Sequence, residues 1–122
     1  MIIVDTSVWI DHLRSGNQRL SRLLDRGQVL AHPWVIGELA LGNLQRRVEI
    51  LRLLDGLPQA TIATESEVMK LIDQHELYGS GIGYVDAQLL AATRLSGDGR
   101  LWTLDARLAS PAATLGVADH AG

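Results

Sequence analysis

Apolar and polar positions fall into short blocks along the chain, and the period changes from block to block. Met1–Val4 is an apolar run too short for a helix. It stops on Asp5, followed by the hydroxyl residues Thr6 and Ser7, which predicts a buried strand delivering Asp5 to its C-terminal edge. Thr6 or Ser7 can then cap a helix running to about Arg14, with Ser15-Gly16-Asn17 as its stop signal. Leu20, Leu23 and Leu24 mark the core-facing stripe of a second helix that ends at Gly27. Val29-Leu30-Ala31 reads as a second strand, and His32-Pro33 opens a helix from Trp34 to about Leu41 that carries Glu38.

Gly42-Asn43 interrupts the helical pattern, which resumes from Gln45 to Leu54 through Val48, Leu51 and Leu54 and ends at Gly56 and Pro58. Thr61-Ile62-Ala63 is predicted as a third short strand. Thr64-Glu65-Ser66-Glu67 is a capping box opening a helix to about His75. The glycine-rich stretch Tyr78–Gly83 leads into the most strongly helical segment, Tyr84–Leu95, with Asp86 in its first turn. After the loop Ser96–Gly99 a fourth strand is expected over Arg100–Leu104, Asp105 caps a short final helix, and the tail adds an edge strand around Val117.

Strands alternating with helices predict a parallel sheet covered on both faces. Right-handed crossovers then bring the strand ends carrying Asp5 and Asp105 to the same edge. In open α/β sheets that edge is where ligands bind and chemistry is done.

Composition narrows the reading. A chain of 122 residues with 47% hydrophobic and 20% charged residues is expected to form one globular domain over residues 1–122. No apolar run approaches the roughly 18 residues of a membrane span. The N-terminus has neither a basic region nor a cleavage site, so no secretory signal is expected. The absence of cysteine removes disulfides and thiolate metal sites and fits a cytoplasmic location. A net charge of −3 does not advertise nucleic acid. Of the 11 basic residues, however, only Lys70 is lysine, and arginine is the better bidentate partner for phosphate.

Each prominent acid has an ordinary structural explanation. Asp5 could leave a strand through an Asx turn, Asp105 could cap a helix, Asp86 suits a helix dipole, and Glu38 could be a solvated helical residue. Together they suggest more. Capping alone would accept serine or asparagine at the two strand ends. Glu38 is flanked by Val35, Ile36, Leu39, Ala40 and Leu41, and Asp86 by Val85, Ala87, Leu89 and Leu90. Acids in such apolar surroundings need a compensating cation if they face the sheet edge. An all-oxygen set favours a hard cation, Mg²⁺ or Mn²⁺, of the kind that assists phosphodiester hydrolysis.

The motifs resemble those of PIN-domain ribonucleases, and in particular the VapC toxins of bacterial toxin–antitoxin pairs. They are Ile3-Val4-Asp5-Thr6-Ser7-Val8-Trp9, His32–Leu39, Gly81–Ala87 and Leu101–Asp105. The resemblance implies a three-layer α/β/α sandwich with a short parallel sheet of four to five strands, and an Mg²⁺- or Mn²⁺-dependent endoribonuclease acting on single-stranded regions of RNA. It carries the family's four acids onto Asp5, Glu38, Asp86 and Asp105, as metal-binding and catalytic residues. The supporting hydroxyls carry onto Thr6 or Ser7, with Thr103 as the counterpart in the last motif. A homodimer is implied, as is a cognate antitoxin that is itself a DNA-binding protein. The leucine stripe of the second helix, and the helix through Val48 and Leu51, offer apolar surface of which most is expected to be core or dimer interface and part could receive such an inhibitor.

Other residues are assigned quieter roles. His12 and His32 are expected to pack or lie at the surface, and Asp11 to be solvated. Trp9, Trp34 and Trp102 are each expected to fill the core rather than to stack bases, since each sits in an apolar segment. Arg14, Arg46, Arg47 and Arg107 are candidates for holding an RNA backbone, against ordinary surface charge. Three other functions compete. A phosphoacceptor module would need a late lysine, which is missing. A silent binding module would keep the acids without cleaving RNA. A housekeeping RNA-processing nuclease would share the chemistry without being a toxin.

Overall fold

The computed structural model describes residues 1–119. Three strands, β1 (Ile2–Val4), β2 (Val29–Leu30) and β3 (Arg100–Trp102), form a parallel sheet in the order β2-β1-β3. Seven helices are described: α1 (Thr6–Ser15), α2 (Gln18–Asp25), α3 (Pro33–Leu41), α4 (Arg47–Asp55), α5 (Glu65–Gln74), α6 (Tyr84–Leu95) and α7 (Ala106–Thr114). Strands separated by helices and paired in parallel give the expected α/β layering around a short central sheet. Ile3 and Val4 of β1, Val29 of β2 and Leu101 of β3 are all buried. Such strands, covered on both faces, show no polar alternation.

The sheet is narrower than expected. Its outer paths are single parallel bridges, Ala31 with Gln59 on one side and Leu101 with Ala118 on the other. The strand expected at Thr61–Ala63 does not form. Pairing occurs two residues earlier, where Pro58 C=O accepts from Ala31 N–H and Ala60 N–H donates to Ala31 C=O. The Gln59 amide meanwhile turns back to Leu57 C=O at 2.9 Å. The strand expected over Arg100–Leu104 stops at Trp102, because Leu104 N–H leaves the ladder to donate to the Ser7 hydroxyl. At the far edge Arg19 pairs with Asp119 and lies 4.4 Å above the Trp102 ring, pinning the last bridge over the core.

Helix ends follow local chemistry. Asp5 caps α1, Asn17 caps α2 through Leu20 N–H, and Thr64 with Glu67 closes a full capping box on α5. His32 caps α3 with its Nδ1, which accepts from Trp34 N–H at 3.1 Å. That bond leaves the proton on Nε2, and burial lowers the ring's pKa, so His32 is a neutral core residue. His12 accepts from Asn17 N–H and meets Trp9 edge-on, and Asp11 accepts from the Asn17 amide. Leu20 and Leu23 are fully engaged in the core, so the apolar stripe of α2 is not a docking surface. On α4, Val48 is 70% and Leu53 is 63% exposed.

Candidate active site

The register of the sheet assembles the site. Val4 lies opposite Trp102, and the next ladder bond runs from Asp5 N–H to Trp102 C=O at 2.9 Å. Asp5 and Thr103 therefore leave adjacent parallel strands side by side. Because side chains alternate along a strand, they also share a face. Thr103 donates its hydroxyl to Asp5 Oδ2 at 2.8 Å, and Ser7 donates to the same oxygen at 2.7 Å. Ser7 N–H completes the set at 3.4 Å. A buried carboxylate held by three donors on one oxygen has a fixed orientation.

The other acids arrive from helices, Asp105 and Asp86 at helix starts and Glu38 within α3. Asp105 N–H donates to Thr103 Oγ1 at 3.0 Å, and the Asp105 carboxylate caps α7 through Arg107 N–H at 2.9 Å. Glu38 sits on the exposed side of α3 and accepts from the Thr6 hydroxyl at 2.7 Å. It is not enclosed by its apolar neighbours as expected, since Val35 and Leu39 point into the core while Glu38 points out. Asp86, in the first turn of α6, accepts from Gly83 N–H at 3.3 Å. Burial pushes its carboxyl up from the ordinary range, opposed by that hydrogen bond, and the charges of Asp5, Asp105 and Glu38 push it further up. Asp86 thus feels all three other acids, from segments as distant in sequence as residues 5 and 105.

The donor set fits a hard divalent cation: four carboxylates, flanking hydroxyls, and no thiolate or imidazole. Among the described residues no three of these acids already stand in a ready-made cage. Each carboxylate is turned to a local hydrogen-bond partner.

Cationic side chains surround the acids unevenly. Arg107 lies beside Asp105, with Nε 3.6 Å from Oδ1, and packs against Gly81. Gly81 has φ of +89°, a conformation a side chain would strain, so the loop entering α6 passes close to Arg107. Arg14 and Arg46 line a groove of about 650 Å³ with Glu38, Ile10, Leu13 and Ile50. Arg46 is also paired with Glu49, and Arg47 bonds Ala40 C=O.

One aromatic residue departs from expectation. Trp9 and Trp102 are buried, but Trp34 is 40% exposed and leans on Tyr84, 39% exposed, with ring centroids 5.8 Å apart. The signal was in the spacing: Trp34 precedes Glu38 by four residues, and positions four apart share a helix face. If one faces the opening, so does the other.

A model of the PIN domain matches residues 2–113. The chain belongs to the PIN-domain family. Within it the chain is similar to ribonuclease VapC32 of Mycobacterium tuberculosis, in strains CDC 1551 / Oshkosh and ATCC 25618 / H37Rv. In both cases identity is 48% over 118 residues, covering 97% of this chain and 95% of the relative. That similarity runs through all four acid-bearing segments, so the chain is a VapC-type PIN-domain ribonuclease.

Proposed function

We propose that this protein is a divalent-metal-dependent endoribonuclease, the toxin of a toxin–antitoxin module, and that Asp5, Glu38, Asp86 and Asp105 form its metal-binding and catalytic centre. The observation that supports the reading is the hydrogen-bonded junction in which Thr103 joins Asp5 to the start of the segment carrying Asp105, in a chain matched by the PIN domain over residues 2–113. Like charges gathered at one sheet edge cost stability unless a cation offsets them. Bound Mg²⁺ or Mn²⁺ would supply Lewis acidity and a water of lowered pKa for phosphodiester hydrolysis.

The chain's own residues have separable tasks. Ser7 and Thr103 fix Asp5, so that its second oxygen is left to face the site. Thr6 restrains the exposed Glu38 at the rim. Burial pushes the Asp86 carboxyl up, so a proton competes there with a cation. Arg107, beside Asp105, and Arg14, in the groove with Glu38, are the residues we assign to backbone phosphates.

The same groove supports the partner expected of a toxin. Its apolar lining from Ile10, Leu13, Leu39, Leu44 and Ile50 suits an amphipathic antitoxin segment, and Glu38 within it suits an inhibitor's basic residue. A homodimer and a cytoplasmic site of action belong to the same reading; no helix among the described residues is long and apolar enough to cross a membrane.

The test is expression of the chain alone and with the product of the neighbouring gene. Growth arrest that is relieved by the neighbour and absent in Glu38→Gln is the expected result. An active nuclease that is harmless without any neighbour would make it a housekeeping RNA-processing enzyme. RNA binding without cleavage under Mg²⁺ and Mn²⁺ would make it a silent binding module.

A further inference from the structure

Trp34 and Tyr84 are large aromatic side chains left in solvent beside a site that handles RNA. Burying either would be favourable, so their exposure calls for a physical reason. They are held in place rather than loose. Trp34 begins α3, where its own N–H is fixed by His32. Tyr84 begins α6, and its hydroxyl accepts from Gln88 Nε2 at 3.2 Å. Gln88 is 3% exposed and one turn further along α6, so a core residue fixes the tilt of a surface ring. The two rings meet at 58°, a tilted contact that leaves each ring about 40% exposed.

Their position relative to the acids is set by helix geometry. Trp34 lies four residues before Glu38, about 6 Å along α3, on the same face. Tyr84 lies two residues before Asp86 in the first turn of α6. The aromatic contact therefore joins the starts of the two helices that supply Glu38 and Asp86. Arg107 and Arg14 are the proposed phosphate contacts, and Trp34 with Tyr84 offers a partly exposed aromatic surface on the helices that carry Glu38 and Asp86. Unpaired RNA is recognised largely by stacking its bases on aromatic rings, and such stacking is tolerant of sequence.

We propose that Trp34, braced by Tyr84 and through it by Gln88, stacks an unpaired nucleobase of the RNA next to the cleaved phosphodiester. This rests on the ribonuclease reading above. Trp34 supplies the stacking surface; Tyr84 and Gln88 are positioning residues. The ring binds substrate and does not touch the reacting atoms, so its loss acts on KM more than on kcat.

The experiment maps a cleavage site with the wild-type protein on total RNA, then uses an oligonucleotide spanning that site. Companion oligonucleotides carry an abasic nucleotide at each position flanking the cut. Trp34→Ala should raise KM on the order of ten- to hundred-fold, and Trp34→Phe should recover most of the loss. One abasic position should raise the wild-type KM by a similar factor, and Trp34→Ala should add little there. Gln88→Leu should give a smaller rise in KM that also vanishes at that position. Thermal melting checks that the variants fold, and sedimentation checks their mass. An unchanged KM in folded Trp34→Ala, or a rise equal on intact and every abasic RNA, overturns the proposal. A changed oligomeric state with a base-independent loss would instead make the ring a contact between copies. If the wild-type protein cleaves no RNA with Mg²⁺ or Mn²⁺, the ribonuclease reading itself fails, a result distinct from the others.

Discussion

Replacing Thr103 by valine keeps the shape of the side chain and removes one oxygen. That oxygen donates to Asp5 Oδ2 at 2.8 Å and accepts from Asp105 N–H at 3.0 Å, tying the ends of β1 and β3 to the start of α7. A hydrogen bond to a charged acceptor is worth about 1.5–3 kcal/mol, and one between neutral groups about 0.5–1.5 kcal/mol. Ser7 continues to serve Asp5, so part of the first contribution survives. The expected loss is about 2–3 kcal/mol at pH 7. With an unfolding entropy of about 2.1 cal/mol/K per residue, a chain of 122 residues should melt about 8–12 °C lower. Urea unfolding followed by circular dichroism measures the free energy, and calorimetry measures Tm. Cleavage at limiting Mn²⁺ should fall about 10- to 100-fold, the usual cost of losing a group that orients a ligand. Thr103→Ser should restore both stability and cleavage to near wild type. A loss below about 0.5 kcal/mol, or a serine variant as damaged as the valine one, would refute the claim that this hydroxyl positions Asp5.

Two further predictions concern pH. Asp86 has a raised pKa in the fold, so the folded state holds its proton more tightly than the unfolded chain does. Its contribution is therefore most favourable below the ordinary carboxylate range, and is lost as pH rises through the raised value. Asp86→Asn, which keeps an acceptor for Gly83 N–H, should leave EDTA-treated protein at least as heat-stable as wild type at pH 7. A lower Tm there would mean that the acid serves the fold. His32 behaves oppositely. Its lowered pKa makes stability complete above the ordinary value of 6.5 and progressively lost as pH falls below it, by at most about 1.4 kcal/mol per pH unit. His32→Asn should keep the α3 cap while flattening that part of the stability profile between pH 6.5 and 5, measured by urea unfolding.

The site was more legible in the sequence than the sheet was. Asp5 and Thr103 each follow a short apolar run, and parallel pairing of such runs leaves little freedom about where their next residues go. The capping chemistry of Thr64-Glu67 and of Asp105 is local, so it too could be read directly. The third strand lies earlier than expected because Thr61-Ile62-Ala63 has strand propensity, while the pairing with Ala31 is made by Pro58–Ala60. Which residue meets Ala31 is decided by the turn at Pro58, a tertiary matter that propensity does not record. Trp34 departs from the expected core position for a related reason. An apolar neighbourhood in sequence says that a helix has a buried face, but only the helical period says which residues lie on it. Val35 and Leu39 take the core, so Trp34 and Glu38 are turned outward. The groove beside Glu38 was not legible at all, since Arg14, Leu44 and Ile50 meet only after α1, α3 and α4 have packed.

The central claim is that the four carboxylates act as one metal-dependent centre for RNA cleavage. The most direct measurement is cleavage of a structured RNA by purified protein as Mn²⁺ is titrated. Wild type should be compared with Asp5→Asn, Glu38→Gln, Asp86→Asn and Asp105→Asn, each shown by circular dichroism to be folded. Internal cuts that appear with Mn²⁺ or Mg²⁺, vanish with EDTA, and are lost in each of the four variants are the predicted result. Cleavage that persists in EDTA, or that survives intact in a folded Asp86→Asn protein at every Mn²⁺ concentration, would contradict it.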